Sequence, residues 1–379
     1  MCQRNPIECI IPPHMLREIY ENGTPEQREQ AFRTAALSAQ LRGERADLQG
    51  DGIAEARAQA GGKQRVVYDA GNTTTLPGTT VRSEGEPATG DAAVDEAYDG
   101  AGATYDLFFD FYGRDSLDGS GLRLDSTVHY GVSYDNAFWN GRQMAYGDGD
   151  ENLPEASRIF NRFTIAIDII GHELAHGVTQ FTAQLLYYQQ SGALNESMSD
   201  VFGSLVKQRL LGQTSDQADW VIGAGLFGSR ISGVGIRSMK APGTAYNDPL
   251  LGKDPQPGHM RDYVNTASDN GGVHINSGIP NHAFYVTARN MGGFAWEKAG
   301  LIWYQTLRDR LSFNSNFQQA ADATYAAAGA LYGAGSLEQQ AVRAGWTEVG
   351  IVIGATTNPG CGARAGMVME ALFGNPQSR

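Results

Sequence analysis

The sequence has few cysteines and no long apolar run. Cys2, Cys9 and Cys361 are its three cysteines, two near the start and one near the end, so their spacing indicates no disulfide framework. No stretch approaches the roughly 20 consecutive apolar residues of a membrane-spanning helix. No apolar segment of signal-peptide length is seen at the N-terminus, where Pro12 and Pro13 interrupt the only short apolar run. We therefore expect no membrane partner and a protein that is cytoplasmic as synthesised, with any export by a non-classical route.

Positive charge is also scarce. Lys and Arg number 29 against 42 Asp and Glu, a formal net charge of −13 at pH 7. Because binding a phosphate backbone requires clustered Lys and Arg, this balance argues against nucleic acid as a partner. A hydrophobic fraction of 41% is that of an ordinary globular protein. We expect a monomer large enough for two domains.

The residue pattern divides the chain into five parts. A short helical segment, residues 1–50, precedes a linker, residues 51–63, with almost no large apolar side chain. Residues 64–185 are rich in strand patterns, residues 186–348 are mostly helical, and residues 349–379 are a Gly-rich tail to which we assign no role. The predicted fold class is α+β, with a β-rich N-terminal lobe, a helical C-terminal lobe, a central helix joining them and a cleft between them.

Local patterns predict individual elements. Thr24 to Gln27 has the residues of a helix N-terminus with a capping box. Strands are predicted at residues 65–68, 107–112 and 122–130, followed by one long helix over residues 155–178. Further helices are predicted at residues 193–211, 278–291, 294–311, 316–331 and 336–344.

The long predicted helix contains a His-Glu-x-x-His pattern formed by His172, Glu173 and His176. Four residues advance an α-helix by about 400°, so the two histidines project from nearly the same face. Both imidazoles can therefore bind one Zn²⁺, with Glu173 as the general base that activates water. The pattern alone also occurs by chance, as two hydrogen-bonded histidines on a helix.

A third metal ligand is needed, and its position separates the candidate classes. A histidine ten residues after His172 would be one solution, but that position is Thr182. Glu196, in the next predicted helix, completes a His₂Glu set that leaves one position open, as in catalytic zinc sites. Asp200 lies on the same helical face and can orient a ligand histidine through a hydrogen bond. We predict one catalytic Zn²⁺ held by His172, His176 and Glu196.

Several longer segments, in this order along the chain, resemble the thermolysin family of zinc metallopeptidases. They are residues 136–141, 144–150, 172–176, 192–200, 236–239 and 269–278. The resemblance extends over about residues 64–348. It implies a neutral endopeptidase that hydrolyses internal peptide bonds of peptides and proteins before bulky apolar residues.

The resemblance also implies individual roles. Glu173 is the general base, His274 and Tyr187 donate hydrogen bonds to the developing oxyanion, and Asp269 orients the ring of His274. Asn136 and the backbone of Ala137 hold the substrate strand, and Arg237 binds a substrate carbonyl beside the scissile bond. The pocket for the residue after that bond is lined by Phe163, Ile169 and Ile236.

One departure from the family concerns calcium. Asp168 matches a calcium ligand, but Lys207 stands where a glutamate ligand is expected. An ammonium group at that place can pair with Asp168 and take over the structural role of the cation. We therefore do not expect Ca²⁺ at this site.

Residues 11–16, followed by one helix and a linker, resemble the short propeptide of protealysin-like members of the family. The pair Pro12-Pro13 stiffens an extended strand, which can lie in a protease cleft at low entropic cost. The implied protein is a latent precursor whose own N-terminal segment inhibits it until that segment is removed. Cys9 and His14 are alternative metal ligands in such a latent form.

Two other functions are compatible with the ligand set. A catalytically silent binding protein would keep the fold and the metal, but the intact Glu173 argues against it. A zinc aminopeptidase would need an acidic residue to bind the substrate amine, and the sequence contains no motif for one.

Overall fold

The computed structural model describes residues 8–48 and 62–354. Most of the predicted linker, and the predicted tail from residue 355, lie outside the described residues. The helices are α1 Pro13–Asn22, α2 Pro25–Leu48, α3 Ala92–Tyr112, α4 Ile167–Gln180, α5 Gln189–Leu211, α6 Asp269–Asn276, α7 Gly278–Met291, α8 Lys298–Asp309, α9 Phe317–Tyr332 and α10 Leu337–Glu348. The strands are β1 Glu8–Cys9, β2 Arg65–Asp69, β3 Thr79–Ser83, β4 Leu124–Val128, β5 Ala137–Trp139, β6 Met144–Tyr146, β7 Val221–Ile222, β8 Arg237–Ser238, β9 Asn247–Asp248 and β10 Gly252–Lys253.

Six strands form one mixed sheet in the order β1-β5-β6-β4-β2-β3. The pairs β2–β4 and β4–β6 are parallel, whereas β2–β3, β5–β6 and β1–β5 are antiparallel. Strand β1 therefore lies at the edge of the sheet, where it satisfies the backbone groups of β5. The N-terminal segment is thus joined to the β-rich lobe through backbone hydrogen bonds.

Helices α1 and α2 of the N-terminal segment pack on each other and on the rest of the protein. The predicted capping box is present: the Gln27 side chain accepts a hydrogen bond from the Thr24 backbone N–H at 3.0 Å, and the Gln27 N–H donates to the Thr24 hydroxyl at 3.4 Å. Helix α2 continues to Leu48, close to the start of the predicted linker at residue 51. Among the described residues of the segment, those in the main apolar core are Ile10, Ile11, Met15, Leu16, Ile19 and Ala31.

Two element predictions are wrong. Residues 107–112 end helix α3 and are not a strand. Their aromatic content favours a strand locally, but Phe108 packs against Phe202 with ring centroids 5.0 Å apart, and a helix is the form that buries one aromatic face here. The long helix predicted from residue 155 begins only at Ile167, because Asp150 accepts the backbone N–H groups of Ile159 and Phe160 and holds residues 158–166 in a loop.

The predicted α+β class, with a β-rich and a helical lobe, is confirmed. Helix α4 joins the two lobes and packs along α5. Within residues 8–48 and 62–354, we find no helix that combines the length and the hydropathy of a membrane span.

Candidate metal centre and active site

Helix α4 is buried along nearly its whole length. Asp168 to Thr179 are all buried, and His172 and His176 project from one face, as the spacing predicts. Their rings are perpendicular, with centroids 4.6 Å apart and the two Nε2 atoms 3.0 Å apart. The helix therefore presents two ring nitrogens toward one point.

Helix α5 brings the third ligand because it approaches α4 very closely. A Cβ atom on Gly203 would lie 2.3 Å from the Asp168 carbonyl oxygen, and one on Gly171 would lie 3.0 Å from the Gly203 Cα. Any larger side chain at Gly203 would push the helices apart. At this separation Glu196 Oε1 lies 3.5 Å from His176 Nε2, and Oε2 lies 3.7 Å from His172 Nε2.

Hydrogen bonds at the other ring nitrogens fix the tautomers. His172 Nδ1 lies 2.8 Å from Asp200 Oδ1, which can only accept a hydrogen bond while ionised. His176 Nδ1 lies 2.9 Å from Asn195 Oδ1 and 2.9 Å from Ser199 Oγ. Both Nδ1 atoms therefore carry hydrogens, and both Nε2 atoms present lone pairs.

A divalent cation fits this arrangement. The ligand atoms of His172, His176 and Glu196 all lie within 4.8 Å of one another. Two facing Nε2 lone pairs repel each other without a cation, and the buried Glu196 Oε2 has no hydrogen-bond partner. Burial lowers the pKa of His172 to about 4, which keeps its imidazole in the neutral form that binds metal. Two imidazoles and one carboxylate are a donor set typical of catalytic zinc.

Glu173 is fully buried beside this group. Its Oε2 accepts a hydrogen bond of 3.0 Å from the backbone N–H of Trp139 in β5. This contact holds the carboxylate between α4 and β5. The predicted general base is therefore kept in place by the sheet.

His274, Tyr187 and Asp269 form a second group of polar side chains. His274 Nδ1 lies 2.6 Å from Asp269 Oδ1, and its Nε2 lies 3.1 Å from the Tyr187 hydroxyl and 3.6 Å from Glu196 Oε2. Tyr187 also donates a hydrogen bond to Glu196 Oε1. Burial by itself would lower the pKa of His274, but Asp269 and Glu196 outweigh it and raise the pKa to about 9. The imidazolium form is a strong donor toward negative charge.

An unusual backbone places His274. Asp269, Asn270, Gly271 and Gly272 have φ values of 53°, 49°, 84° and 80°, a left-handed turn at the start of α6. Asp269 Oδ2 accepts the backbone N–H of His274 at 2.9 Å, so the same carboxylate binds both the ring and the backbone of this residue. Non-glycine residues with positive φ are strained and concentrate at functional sites.

Asp200 accepts hydrogen bonds from three buried side chains, those of His172, Arg237 and Asn281. Besides His172, it accepts two hydrogen bonds of 2.7 Å from Arg237 and one of 2.8 Å from Asn281. Burial alone would raise the pKa of Asp200, but Arg237 and His172 hold it far below its usual value. Asp200 thus positions a metal ligand and the predicted substrate-binding Arg237 at once.

The two residues that follow strand β1, Ile10 and Ile11, contact the predicted substrate-binding residues. The Ile10 N–H donates to the Ala137 carbonyl at 3.2 Å, and the Ile11 N–H donates to Asn136 Oδ1 at 2.9 Å. Arg237 Nη1 donates to the Ile10 carbonyl at 3.4 Å. The structure therefore brings Asn136, Ala137 and Arg237 together around the N-terminal segment.

The three predicted pocket residues are buried. Ile169 and Ile236 both lie close to Gly223, since a Cβ on this glycine would be 3.6 Å from Ile169 and 2.8 Å from Ile236. Phe163 packs against Phe160, with ring centroids 5.9 Å apart. Their predicted role in substrate selection stays a prediction.

Neither alternative metal ligand reaches the His₂Glu group. His14 Nε2 lies 3.0 Å from the Tyr246 hydroxyl. The Cys9 side chain belongs to a small apolar cluster with Tyr130, Tyr134 and Phe138. Among the residues that the structure describes, the metal-binding group contains His172, His176 and Glu196 alone.

Lys207 lies where a cation would be expected. Its Nζ is 2.8 Å from Asp168 Oδ2, 2.9 Å from Asp219 Oδ1 and 2.7 Å from the Val221 carbonyl oxygen. Asp168 Oδ1 accepts the Gly223 N–H at 3.1 Å. The ammonium group therefore has three oxygen partners in a buried position.

Two models of the thermolysin metallopeptidase family match the chain: the catalytic domain over residues 52–180 and the alpha-helical domain over residues 183–351. The chain belongs to the thermolysin metallopeptidase family. The predicted resemblance and the metalloendopeptidase activity are thereby confirmed.

Individual relatives of this thermolysin-family chain agree. It is 54% identical over 320 residues to an extracellular metalloprotease of Pectobacterium carotovorum subsp. carotovorum, covering 83% of this chain and 88% of the relative. It is 48% identical over 356 residues to protease PrtS of Photorhabdus sp. (strain Az29), covering 93% and 94%. Among solved structures, the precursor of protealysin from Serratia proteamaculans superimposes with a TM-score of 0.81 at 52% identity, covering 91% of this chain and all (100%) of the other.

One prediction is corrected by these relatives. The expected cytoplasmic location, with export only by a non-classical route, is wrong, because the Pectobacterium relative is named an extracellular metalloprotease. The expectation depended only on the residue pattern of the first part of the sequence and on nothing in the folded protein.

Several residues of the site are missed by the sequence patterns. Asn195 and Ser199 support His176, and their four-residue spacing on the helix of Glu196 is a signal that could have revealed them. Asn281, which donates a hydrogen bond to Asp200, is 81 residues away from it in sequence, so no local spacing reveals it. Gln256 donates a hydrogen bond from its Nε2 to the His274 carbonyl at 2.7 Å, and its place in the site is likewise visible only in the folded structure.

Asp200→Asn should weaken both the fold and the metal site. The amide keeps the shape of the side chain but leaves buried Arg237 without a counter-charge, which costs about 3–5 kcal/mol of unfolding free energy. Loss of the carboxylate behind His172 should weaken zinc binding by about 10–100-fold. Denaturant unfolding and zinc titration measure the two effects. Asp262→Asn, which touches only the exposed pair with Arg261, is the matched control, and equal results for both variants would contradict the assignment.

Proposed function

We propose that this thermolysin-family chain is the precursor of an endopeptidase with one catalytic Zn²⁺ held by His172, His176 and Glu196. The observation that carries this proposal is the convergence of their three ligand atoms within 4.8 Å. Zinc, when bound, supplies a Lewis acid that polarises a carbonyl and makes water more acidic. The protein supplies the remaining chemistry.

Glu173 acts as the general base. Its carboxylate is held in place by the Trp139 N–H. It takes a proton from water during attack and delivers it to the leaving nitrogen. His274 and Tyr187, whose polar atoms are 3.1 Å apart, donate hydrogen bonds to the carbonyl oxygen as its negative charge develops, and Asp269 keeps the His274 ring in place.

Substrate is bound as an added strand. Asn136 and the Ala137 backbone pair with it, and Arg237 binds the carbonyl that follows the scissile bond. Ile169 and Ile236, with Phe163, supply an apolar pocket for the side chain after that bond. Peptides and proteins with Leu, Ile, Val or Phe at this position are the expected substrates.

Casein hydrolysis by the processed protein tests the function. We expect activity that 1,10-phenanthroline abolishes and that zinc restores. Glu173→Gln should lower the rate by at least about 10²-fold, because it removes general-base catalysis without removing a metal ligand. Exposed Glu155→Gln is the matched control. Full casein hydrolysis by the Glu173 variant would rule out the proposed mechanism.

The N-terminal segment, residues 1–50, keeps the monomeric precursor latent. Cys9 to Ile11 are buried on the substrate-binding residues, so a substrate strand has no access to Asn136 and Ala137. Cleavage within residues 51–63 would convert this intramolecular inhibitor into a dissociable one. The effective concentration of the N-terminal segment at the active site would then fall to the concentration of the released segment in solution.

The latency proposal predicts a cut in the linker. The full chain with Glu173→Ala, incubated with a trace of active enzyme, should be cleaved between residues 51 and 63, and mass spectrometry locates the cut. Wild-type protein processed in the same way should gain casein activity as the 1–50 fragment is removed. A full chain that hydrolyses casein at the processed rate before any cut would contradict the proposal.

Lys207 replaces a structural calcium ion beside α4. Its three oxygen partners support this proposal, since an ammonium group already neutralises Asp168 and Asp219.

Calcium should therefore stabilise a variant but not the wild-type protein. Lys207→Glu provides the carboxylate that the family carries at this position, so its melting temperature should rise with millimolar Ca²⁺. Without Ca²⁺ this variant should be less stable than wild type, because three acidic side chains then meet in a partly buried site. Thermal unfolding measures both effects, and Lys298→Glu, an exposed site, is the control. Calcium stabilisation of wild type but not of Lys207→Glu would refute the replacement.

A further inference from the structure

We propose that the Cys9–Ile10 peptide bond is a cleavage site of this enzyme within its own chain. Strand β1 and the two residues after it lie in the cleft in the register of a substrate, with that bond at the reacting position. The inference rests on the proposed function, and it adds a processing site distinct from the linker.

The carbonyl before the bond contacts the oxyanion-binding group. The Cys9 carbonyl oxygen lies 3.0 Å from His274 Nε2, and the same nitrogen is 3.1 Å from the Tyr187 hydroxyl. A carbonyl oxygen only accepts hydrogen bonds, so His274 donates to it. This is the contact that the scissile carbonyl of a substrate is expected to make.

The residue after the bond contacts the groups assigned to that position. The Ile10 N–H donates to Ala137, and its carbonyl accepts from Arg237 at 3.4 Å, the role predicted for the carbonyl that follows the scissile bond. The Ile10 side chain is 0% exposed. An isoleucine here also agrees with the preference for bulky apolar residues that the family resemblance implies.

The register is fixed on both sides of the bond. Cys9 pairs with Phe138 in an antiparallel ladder, and the Ile11 N–H is bound by Asn136. The Cys9 side chain packs in the small cluster of Tyr130 and its neighbours, whereas Ile10 belongs to the main core. A slip of one residue would exchange these faces and bury each side chain in the wrong place.

The general base is close to the same strand. Glu173 accepts a hydrogen bond from the N–H of Trp139, the β5 residue that pairs with Glu8. Hydrolysis then adds one water molecule across the amide. Its oxygen bonds to the Cys9 carbonyl carbon, the C–N bond breaks, and the Ile10 nitrogen receives both protons of the water, leaving a carboxylate on Cys9 and an ammonium on Ile10.

The full chain itself provides the test. Protein purified with a chelator is given zinc, and mass spectrometry follows the fragment 1–9 and the new N-terminus at Ile10. We expect first-order release whose rate constant does not change with protein concentration, because each cleft holds its own strand. A rate constant that rises in proportion to concentration would mean cleavage by other molecules and would overturn the proposed register.

A variant pair tests the position of the bond. Ile10→Asp places a charge in an apolar site and should slow the 9–10 cut by more than tenfold, while added active enzyme still cuts the linker. Exposed Arg17→Ala, on the same segment, should cut at the wild-type rate. Equal 9–10 cleavage in Ile10→Asp and wild type would contradict the inference.

Hydrogen exchange in the metal-free full chain gives a readout that needs no catalysis. The amides of Ile10 and Ile11 should both be protected. Asn136→Ala should raise the exchange rate of Ile11 by about three- to tenfold, because it removes one hydrogen bond, with a smaller change at Ile10. Unprotected amides at both residues in the wild-type chain would overturn the proposal.

The outcomes also separate this inference from the proposed function. Casein hydrolysis and linker cleavage with an intact Cys9–Ile10 bond would reject the self-cleavage site and leave the endopeptidase standing. Absence of casein hydrolysis by the zinc-loaded, processed protein would reject both.

Discussion

The contact between α4 and α5 at Gly171 and Gly203 determines where the metal ligands meet. His172 and His176 come from one helix and Glu196 from the other, so their distances depend on how closely the two backbones approach. With the backbones in contact, a carboxylate of ordinary length reaches both Nε2 atoms. The glycines thus act at a distance from the ligands, through the separation of the helix axes.

Around this contact, buried charges of opposite sign are paired. Arg237 and His172 share Asp200, and His274 lies between Asp269 and Glu196. Each carboxylate would be costly to bury alone, and each has cationic or neutral donors around it. This pairing explains why groups with shifted pKa values cluster at the junction of the lobes, where charge develops during amide hydrolysis.

Local periodicity was sufficient to predict part of the site. The four-residue spacings of His172–His176 and Glu196–Asp200 are properties of a helix, so they hold wherever the helices lie. The resemblance to a family then predicted His274, Tyr187 and Arg237, which no periodicity connects to the histidines. The loop over residues 158–166 and the helical form of 107–112 depend on contacts with Asp150 and Phe202, and a local pattern cannot contain such contacts. The prediction of the cellular location was wrong for a different reason, because location is not a property of the fold.

The N-terminal strand gives the clearest case of information that appears only in three dimensions. The sequence predicted that residues near Pro12 lie in the cleft, but not which peptide bond meets which group. That register follows from the alternation of Cys9 and Ile10 between two apolar clusters and from four hydrogen bonds made by the backbone of residues 9–11. The groups that hold this strand are those assigned to a substrate strand. The proposed inhibitor and a substrate would therefore make similar contacts, and they would differ mainly in that the inhibitor is covalently joined to the enzyme. A tethered strand is present at high effective concentration and rebinds after each opening. Latency is therefore compatible with a strand that the enzyme can also cleave.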